Sequence, residues 1–393
     1  MKFTIINQHL YNYGDEIAGI TLIDSINKRF DNVDNISVYY KIPGQLNLSY
    51  DNVVHQGQPF TKSWKTLLSI FLVLIFSPFS QKIIFDLKLK QYISDIISSD
   101  YVFVSPCGAN MGIYKDWKFM LVVLLCIRSG KKPIFHGITV GKSGNFLFDA
   151  IARYCFKNSE MFVREKKCVS FLNSMNIRSF RTVDTAFMFE NEKPFRYDVK
   201  NYIVFIPTKL DSWHPNFKGF SVEEDISEKI IPALVSYAKR QDSKIVILPH
   251  MYNEEGGNTE VDLLSYYHDI IVSCGLNKSM VEIVNCEDFR DYDNFIKHSS
   301  FVVSMRYHGV VMSIKNCVPF LSLAYENKMT EVCNYSQKSD FNIELYNTKL
   351  PEFINIEYLM DRQNKLDRSI PDYLCFLAEQ CIQQLFFRES NNR

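Results

Sequence analysis

The sequence predicts an α/β protein made of two doubly wound domains, each a parallel sheet covered by helices on both faces. Three observations predict it. Short runs rich in β-branched and aromatic residues alternate with helix-length segments, which is the rhythm of strands joined by helical crossovers. Some of these runs are almost wholly apolar, such as YIVFI at 202–206 and FVVS at 301–304, as strands buried on both faces must be. The rhythm pauses at the polar, Pro-containing stretch ENEKPFRYDVK (190–200) and then restarts.

In order, KFTIIN (2–7) reads as a strand, followed by a loop through Gly14 and a helix from about Asp15 to Arg29. ISVYY (36–40) is the second strand, and residues 41–62 read as loop because of Pro43, Gly44, Gly57 and Pro59. YVFVS (101–105) is a strand ending in a Pro-Cys-Gly turn. Helix 118–129, strand PIFHGI (133–138) and helices 145–157 and 165–175 around EMFV (160–163) complete the first half. The second half repeats the scheme: strands 202–206, 244–248, 281–284, 301–304 and 319–323 alternate with helices 224–240, 259–274, 288–298 and 306–316. A last helix, 371–388, places Leu374, Leu377, Ala378, Cys381, Ile382 and Leu385 on one face. The predicted domains are 1–190 and 201–350, with a helical segment 351–393 as a candidate to pack back on the first. Two such halves facing a cleft have the layout of a GT-B-type transferase, an analogy of fold that does not assign function.

Composition narrows the class. A chain of 393 residues fits two domains, and 47% hydrophobic with 22% charged residues is globular. Lys+Arg and Asp+Glu are both 44, so there is no broad electrostatic footprint for nucleic acid. The ten cysteines form no C-x-x-C pair and sit mostly in apolar runs, which reads as buried thiols in a reducing compartment, with no metal site. MKFTIINQHL is too short and polar for a signal peptide, so a cytoplasmic location is expected. Residues 67–76, LLSIFLVLIF, make about 15 Å of helix, half a bilayer core. The favoured reading is a buried core helix. The other is an interfacial helix within 64–79, flanked by Trp64, Lys65, Pro78 and Phe79, that meets the inner leaflet of a membrane.

The residues that could carry chemistry cluster at predicted strand ends. After Ser304 come Arg306 and His308 in the first turn of a helix, then Gly309, which permits close approach. A helix N-terminus beside an Arg and a His is an anion pocket with a proton donor; the plain alternative is an Arg306–carboxylate pair and a packed histidine. Asp15 either caps the helix after Gly14 or binds an acceptor hydroxyl. Arg164-Glu165 reads as a surface pair or an anion contact, and Asp184 as a domain-edge hydrogen bonder or a ligand contact. Gly141-Lys-Ser143 fails the phosphate-loop pattern, because His136 stands where a glycine is needed. His136, Trp213 and His214 are weaker candidates to line the cleft.

The S-x-R-x-H-G stretch, with Leu323-Ala-Tyr-Glu-Asn-Lys328 beyond it, resembles the polysaccharide pyruvyl transferase family. Four further segments agree in order: Asn12-Tyr-Gly-Asp15, Phe162-Val-Arg-Glu165 with Ser170 and Leu172, Val183-Asp184-Thr-Ala-Phe187, and Leu248-Pro-His250. Two features depart from the family pattern: Ser105–Asn110 holds a single glycine, and Cys168 stands where the family block has serine. The resemblance implies transfer of a pyruvyl group from phosphoenolpyruvate to two hydroxyls of a sugar or lipid-linked saccharide, with no metal and no further cofactor. It implies catalytic roles for His308, Arg306 and Asp15, and substrate contacts from Arg164, His250, Asn12, Gly14, Gly309 and Asp184. Homo-oligomerisation is left open. The competing readings are a GT-B glycosyltransferase using a nucleotide sugar and an inactive scaffold of polysaccharide assembly.

Overall fold

The apolar runs become strands of two sheets in the computed structural model, which describes residues 1–60, 63–76, 84–218, 222–253, 255, 257, 259–345, 356–362 and 366–390. The chain divides into two compact units. The first holds Met1–Leu10, Asp15–Phe189 and Phe376–Arg393; the second holds Tyr11–Gly14 and Glu190–Cys375.

The first unit runs β1 (Lys2–Gln8), α1 (Tyr13–Arg29, its first two residues counted with the second unit), β2 (Asn35–Tyr40), β3 (Val53–Gly57), α2 (Trp64–Phe76), α3 (Leu87–Ser98), β4 (Tyr101–Val104), α4 (Trp117–Arg128), β5 (Ile134–Ile138), α5 (Phe146–Lys157), β6 (Glu160–Val163), α6 (Lys166–Ser174) and β7 (Ser179–Arg181). Its strands pair in the order β3-β2-β1-β4-β5-β6-β7, all parallel. The order reverses direction between β1 and β4, which puts a crevice at the carboxyl ends of those two strands. Helix starts are marked by side chains: Asp86, Asp116 and Asn145 each accept the backbone N–H three residues on, opening α3, α4 and α5.

The second unit runs β8 (Tyr202–Ile206), α7 (Glu223–Asp225), a π turn (Ile226–Ile230), α8 (Ile231–Arg240), β9 (Lys244–Ile247), α9 (Val261–Ser273), β10 (Val281–Ile283), α10 (Phe289–Lys297), β11 (Phe301–Ser304), α11 (Tyr307–Lys315), β12 (Phe320–Ala324), α12 (Asn327–Tyr335), β13 (Asn342–Glu344), α13 (Ile356–Asp361) and α14 (Ser369–Ser390). Its order is β10-β9-β8-β11-β12-β13, again parallel, reversing between β8 and β11. The part of α14 that belongs to the first unit is held there by polar bonds. His136 Nε2 donates to Ala378 O at 3.0 Å, Thr182 Oγ1 donates to Leu377 O at 3.0 Å, and Arg29 pairs with Glu379.

Four details differ from the sequence expectation. The stretch 41–62 contains β3, whose His55 and Gln56 are half-buried, so an edge strand without apolar alternation hides among turn residues. The three-residue strands β7 and β13 are too short to carry a pattern. Helix α1 starts at Tyr13, two residues before Asp15. The apolar segment is α2, and only one face of it is core: Thr66, Ser69, Ile70 and Val73 are buried, the last two within the hydrophobic core, while Trp64, Leu67, Leu68, Phe71, Ile75 and Phe76 are exposed. Pro78 and Phe79 lie outside the described residues. No described helix is long and apolar enough to cross a membrane.

Candidate functional site

At the reversal point of the second sheet, β11 ends on Ser304, whose Oγ accepts Arg306 N–H at 3.0 Å and donates to Arg306 O at 2.8 Å, turning the chain into α11. A Cβ on Gly309 would stand 2.3 Å from Ser304 Oγ and 2.7 Å from Ile206 Cδ1. The close approach that Gly309 permits is therefore to the protein's own strands and not to a ligand. Arg306, 6% exposed, pairs with the Glu260 carboxylate, as the plain alternative required. Glu260 Oε2 also accepts the backbone N–H groups of His250 (3.0 Å) and Met251 (3.2 Å), so one carboxylate ties the start of α9, the end of β9 and Arg306 together. Burial opposes the arginine's charge, but Glu260 outweighs it and raises its pKa further. Arg306 Nε is buried with no hydrogen-bond partner among the described residues. Beside it opens a cavity of about 630 Å³, lined by Arg306, Lys209, Trp213, Met251 and Tyr266 together with the carboxylates of Asp211, Glu223, Glu260 and Asp262. The guanidinium lies 5.7 Å from the Trp213 ring centre.

Two buried histidines pack on each other, neither of them among the residues that line the cavity. The His308 and His250 rings are stacked with centres 6.3 Å apart and planes 17° apart, both residues buried. His250 Nδ1 is 3.0 Å from Tyr292 Oη. Burial raises the Tyr292 hydroxyl's pKa well above its ordinary value, so the phenol keeps the proton to donate to Nδ1. Residues 11–14 close this side. Asn12 Oδ1 accepts Gly14 N–H at 3.1 Å, Tyr13 N–H donates to His250 O at 3.2 Å, and Tyr13 stacks on Tyr252 and Tyr292. A Cβ on Gly14 would lie 2.1 Å from His308 Cγ and Nδ1. Gly14 is thus required by the His308 ring rather than by a turn, and Asn12 has the capping task expected of Asp15.

Asp15 itself sits at the reversal point of the first sheet, 3.4 Å from His9 Nδ1, both largely buried. His9 Nε2 has no hydrogen-bond partner among the described residues. Lys41, just past β2, pairs with Asp116 at 2.5 Å and donates to Asn110 Oδ1 at 3.1 Å. Glu260, Tyr292, His9 and Lys41 escaped the sequence reading. His9 and Lys41 carried a signal, since each lies within two residues of the end of a predicted strand.

Other candidates fall away. Arg164 and Asp184, 2% and 0% exposed, pair with each other. Arg164 Nε also donates to Thr139 Oγ1 at 3.1 Å, and Asp184 Oδ1 accepts Ala186 N–H at 3.0 Å, capping the turn Thr185–Met188. This buried pair joins the ends of β6 and β7. His136 is fully buried on Ala378 O, with its pKa pushed down to about 4 by burial. His214 is fully buried, bonded to Glu326 at 3.0 Å and accepting Asn216 N–H at 3.3 Å; only its neighbour Trp213 reaches the cavity. In the Gly141–Ser143 stretch, the Ser143 amide is spent on Asp149 at 2.9 Å. Cys168 donates to Val140 O at 3.1 Å and accepts Val140 N–H at 3.3 Å, two bonds that a serine could also make.

Comparison with known proteins fits this architecture. A protein of Listeria monocytogenes assigned as a UDP-N-acetylglucosamine 2-epimerase is similar at a TM-score of 0.62 and 12% identity, covering 100% of this chain and 98% of its own. The UDP-GlcNAc 2-epimerase of Methanocaldococcus jannaschii gives 0.59 and 12%, covering 98% and 100%. Anabaena HepE, solved with UDP and glucose, gives 0.57 and 12%, covering 99% of each chain. At these identities the likeness concerns the GT-B-type fold of two Rossmann-like domains. No curated protein matches the sequence. The family model for polysaccharide pyruvyl transferase matches residues 12–327, a span that holds Arg306, His308, Glu260 and the loop beneath them, and the chain therefore belongs to the polysaccharide pyruvyl transferase family.

Proposed function

We propose that this transferase takes a pyruvyl group from phosphoenolpyruvate and joins it to two hydroxyls of a saccharide as a ketal. The balance is simple. Two C–O bonds form at the donor's C2, the C2–O–P bridge breaks and phosphate leaves. Of the two hydroxyl protons, one goes to the methylene carbon, which becomes methyl, and the other leaves with phosphate.

One observation carries the reading: an arginine whose buried Nε has no hydrogen-bond partner among the described residues lies two residues before a histidine, where a parallel strand passes into a helix start. Phosphoenolpyruvate is a small trianion. Arg306 and Lys209 supply the cations of the cavity, but Glu260 pairs with Arg306 and Asp211, Glu223 and Asp262 also line it, so a trianion is held there only if Arg306 exchanges Glu260 for the donor. His308 protonates the methylene carbon, with His250 beside it held by Tyr292. In the first unit, considered by itself, Asp15 lies beside His9 Nδ1, a pairing of the kind that accepts a hydroxyl proton. No resident metal or cofactor enters this scheme.

A cavity of about 630 Å³ is larger than phosphoenolpyruvate needs, and Trp213 and Tyr266 on its wall suit a sugar or a base. This observation favours a nucleotide-sugar donor as the second reading. Ligand-induced thermal shifts separate the two. At a hundredfold excess over Kd, phosphoenolpyruvate should stabilise the wild type by about 2.7 kcal/mol, and Arg306→Ala should abolish the shift. Stabilisation by UDP- or GDP-sugars without any by phosphoenolpyruvate would overturn the proposal in favour of the second reading. Stabilisation by none would favour a scaffold.

A further inference from the structure

The solvent face of α2 is built almost wholly from large apolar side chains. Trp64, Leu68, Phe71 and Ile75 follow one another at helical spacing, with Leu67 and Phe76 beside them, and all six are exposed, Phe71 at 57%. A soluble surface rarely carries such a stripe without use. The neighbouring helices of the same unit continue it. On α4, Trp117, Leu121, Leu124 and Arg128 share one face at spacings of four, three and four; on α5, Leu147, Ile151 and Tyr154 do the same. Phe146, at the start of α5, is 89% exposed. Between these stripes lies an open groove of about 450 Å³ lined by Leu74, Leu124, Arg128, Ala150, Ile151 and Tyr154.

The exposed charges on α2 and at the start of α3 are basic. Of the acids nearby on α3 and its cap, Asp86 and Asp95, the second is engaged within the unit, accepting from Tyr39 Oη at 2.7 Å and from Gln91 Nε2 at 2.7 Å. Asp86 is buried and spent on capping α3 and on Thr66. Lys65, Lys88 and Lys90 are exposed. The one charged side chain of the groove is Arg128, whose Nε is buried without a hydrogen-bond partner among the described residues. A second protein would need polar partners for specificity, and the α2 face offers almost none. An anionic bilayer needs only an apolar face, a basic rim and an aromatic residue at the headgroup boundary.

We propose that the α2–α4–α5 face docks on an anionic lipid surface. The apolar α2 side chains enter the headgroup–acyl boundary, the lysines meet lipid phosphates, and Arg128 takes one anionic headgroup whose chain lies in the groove. This site is separate from the donor chemistry proposed above and stands or falls without it.

Vesicle co-sedimentation tests it, with phosphatidylcholine alone and with phosphatidylcholine–phosphatidylglycerol mixtures. The full chain should pellet with the mixed vesicles and be released by salt. Phe71→Asp/Ile75→Asp should lower partitioning roughly tenfold or more, since two large apolar side chains lose their burial. Lys65→Glu/Lys88→Glu, at exposed positions that leave the fold intact, should lower it roughly fivefold per lysine. Arg128→Gln should weaken binding to the mixed vesicles alone. All variants should keep the wild-type thermal shift with donor ligand, which separates this proposal from the previous one. The proposal is overturned if the wild type does not pellet with anionic vesicles, or if the aspartate and glutamate variants pellet as well as it does. A wild-type dimer that Phe71→Asp/Ile75→Asp converts to monomer, with no vesicle binding, would assign the face to a second copy instead.

Discussion

Replacing Gly14 by alanine tests the core of the site, because two physical effects predict opposite signs. Gly14 lies in the first turn of α1 and its backbone is not left-handed. On propensity alone, Gly14→Ala should stabilise by about 0.4–1 kcal/mol through the unfolded chain. Packing says otherwise. The new Cβ would stand 2.1 Å from His308 Cγ and Nδ1, so the ring and the loop must part by about 1.3 Å to reach an ordinary contact of 3.4 Å. His308 is buried, with Tyr307 and His250 around it, and overpacking of this kind costs about 1–3 kcal/mol. The net expectation is destabilisation by about 1–2 kcal/mol, with turnover down roughly 10²-fold because the histidine is displaced by about an ångström. Thermal denaturation of the double-mutant cycle with His308→Gly isolates the contact, because the His308 Cβ itself would lie 2.4 Å from the new methyl and must go with the ring. In the His308→Gly background the clash is gone, and Gly14→Ala should become neutral or stabilising. If Gly14→Ala is as stable as wild type, and the two changes are additive, the contact between Gly14 and His308 is refuted.

Two further predictions concern buried groups that the chemistry does not use. Arg164→Met should destabilise the first unit by about 3–5 kcal/mol, since it leaves Asp184 buried and uncompensated; recovery of much of that loss, read by chemical denaturation, is expected in Arg164→Met/Asp184→Asn. His136 should make stability acid-sensitive. Its folded pKa of about 4 lies below the unfolded value of 6.5, so the unfolded chain takes up the proton first. The contribution is complete above about pH 6.5 and is lost as pH falls toward 4, amounting to about 3 kcal/mol. His136→Gln should flatten that part of the stability profile; an unchanged slope between pH 6.5 and 4 would remove His136 as its source.

What the sequence made legible is what local pattern encodes. YIVFI and FVVS are strands because β-branched and aromatic runs buried on both faces have few other options, and their carboxyl ends face ligand crevices in doubly wound sheets. Arg306 and His308 could therefore be placed beforehand. Edge strands such as β3 stayed hidden, because one half-buried face lets histidine and glutamine stand where alternation would show. The alternatives left open at Arg164 and Asp184 share a cause: sequence reveals that a charge exists, but whether it meets a partner or a ligand depends on contacts twenty residues away in the chain. The same holds for Glu260, invisible as one acid before a helix, yet the group that positions Arg306.

The core reading of α2 held for one face only, for a related reason. Hydrophobicity alone cannot distinguish a helix buried in a core from one that presents its face to another apolar phase, because both burials are driven by the same loss of water contact. What separates them is the arrangement of the few polar residues. In α2 the small polar groups Thr66 and Ser69 lie on the buried face, where Thr66 bonds Asp86 and Ser69 accepts the Phe85 amide at 2.9 Å. Ile70 and Val73 share that face and join the core of the first unit, while Trp64, Leu67, Leu68, Phe71, Ile75 and Phe76 point outward. The helix is thus apolar on both sides, where a helix that only closes a core turns a polar face to water.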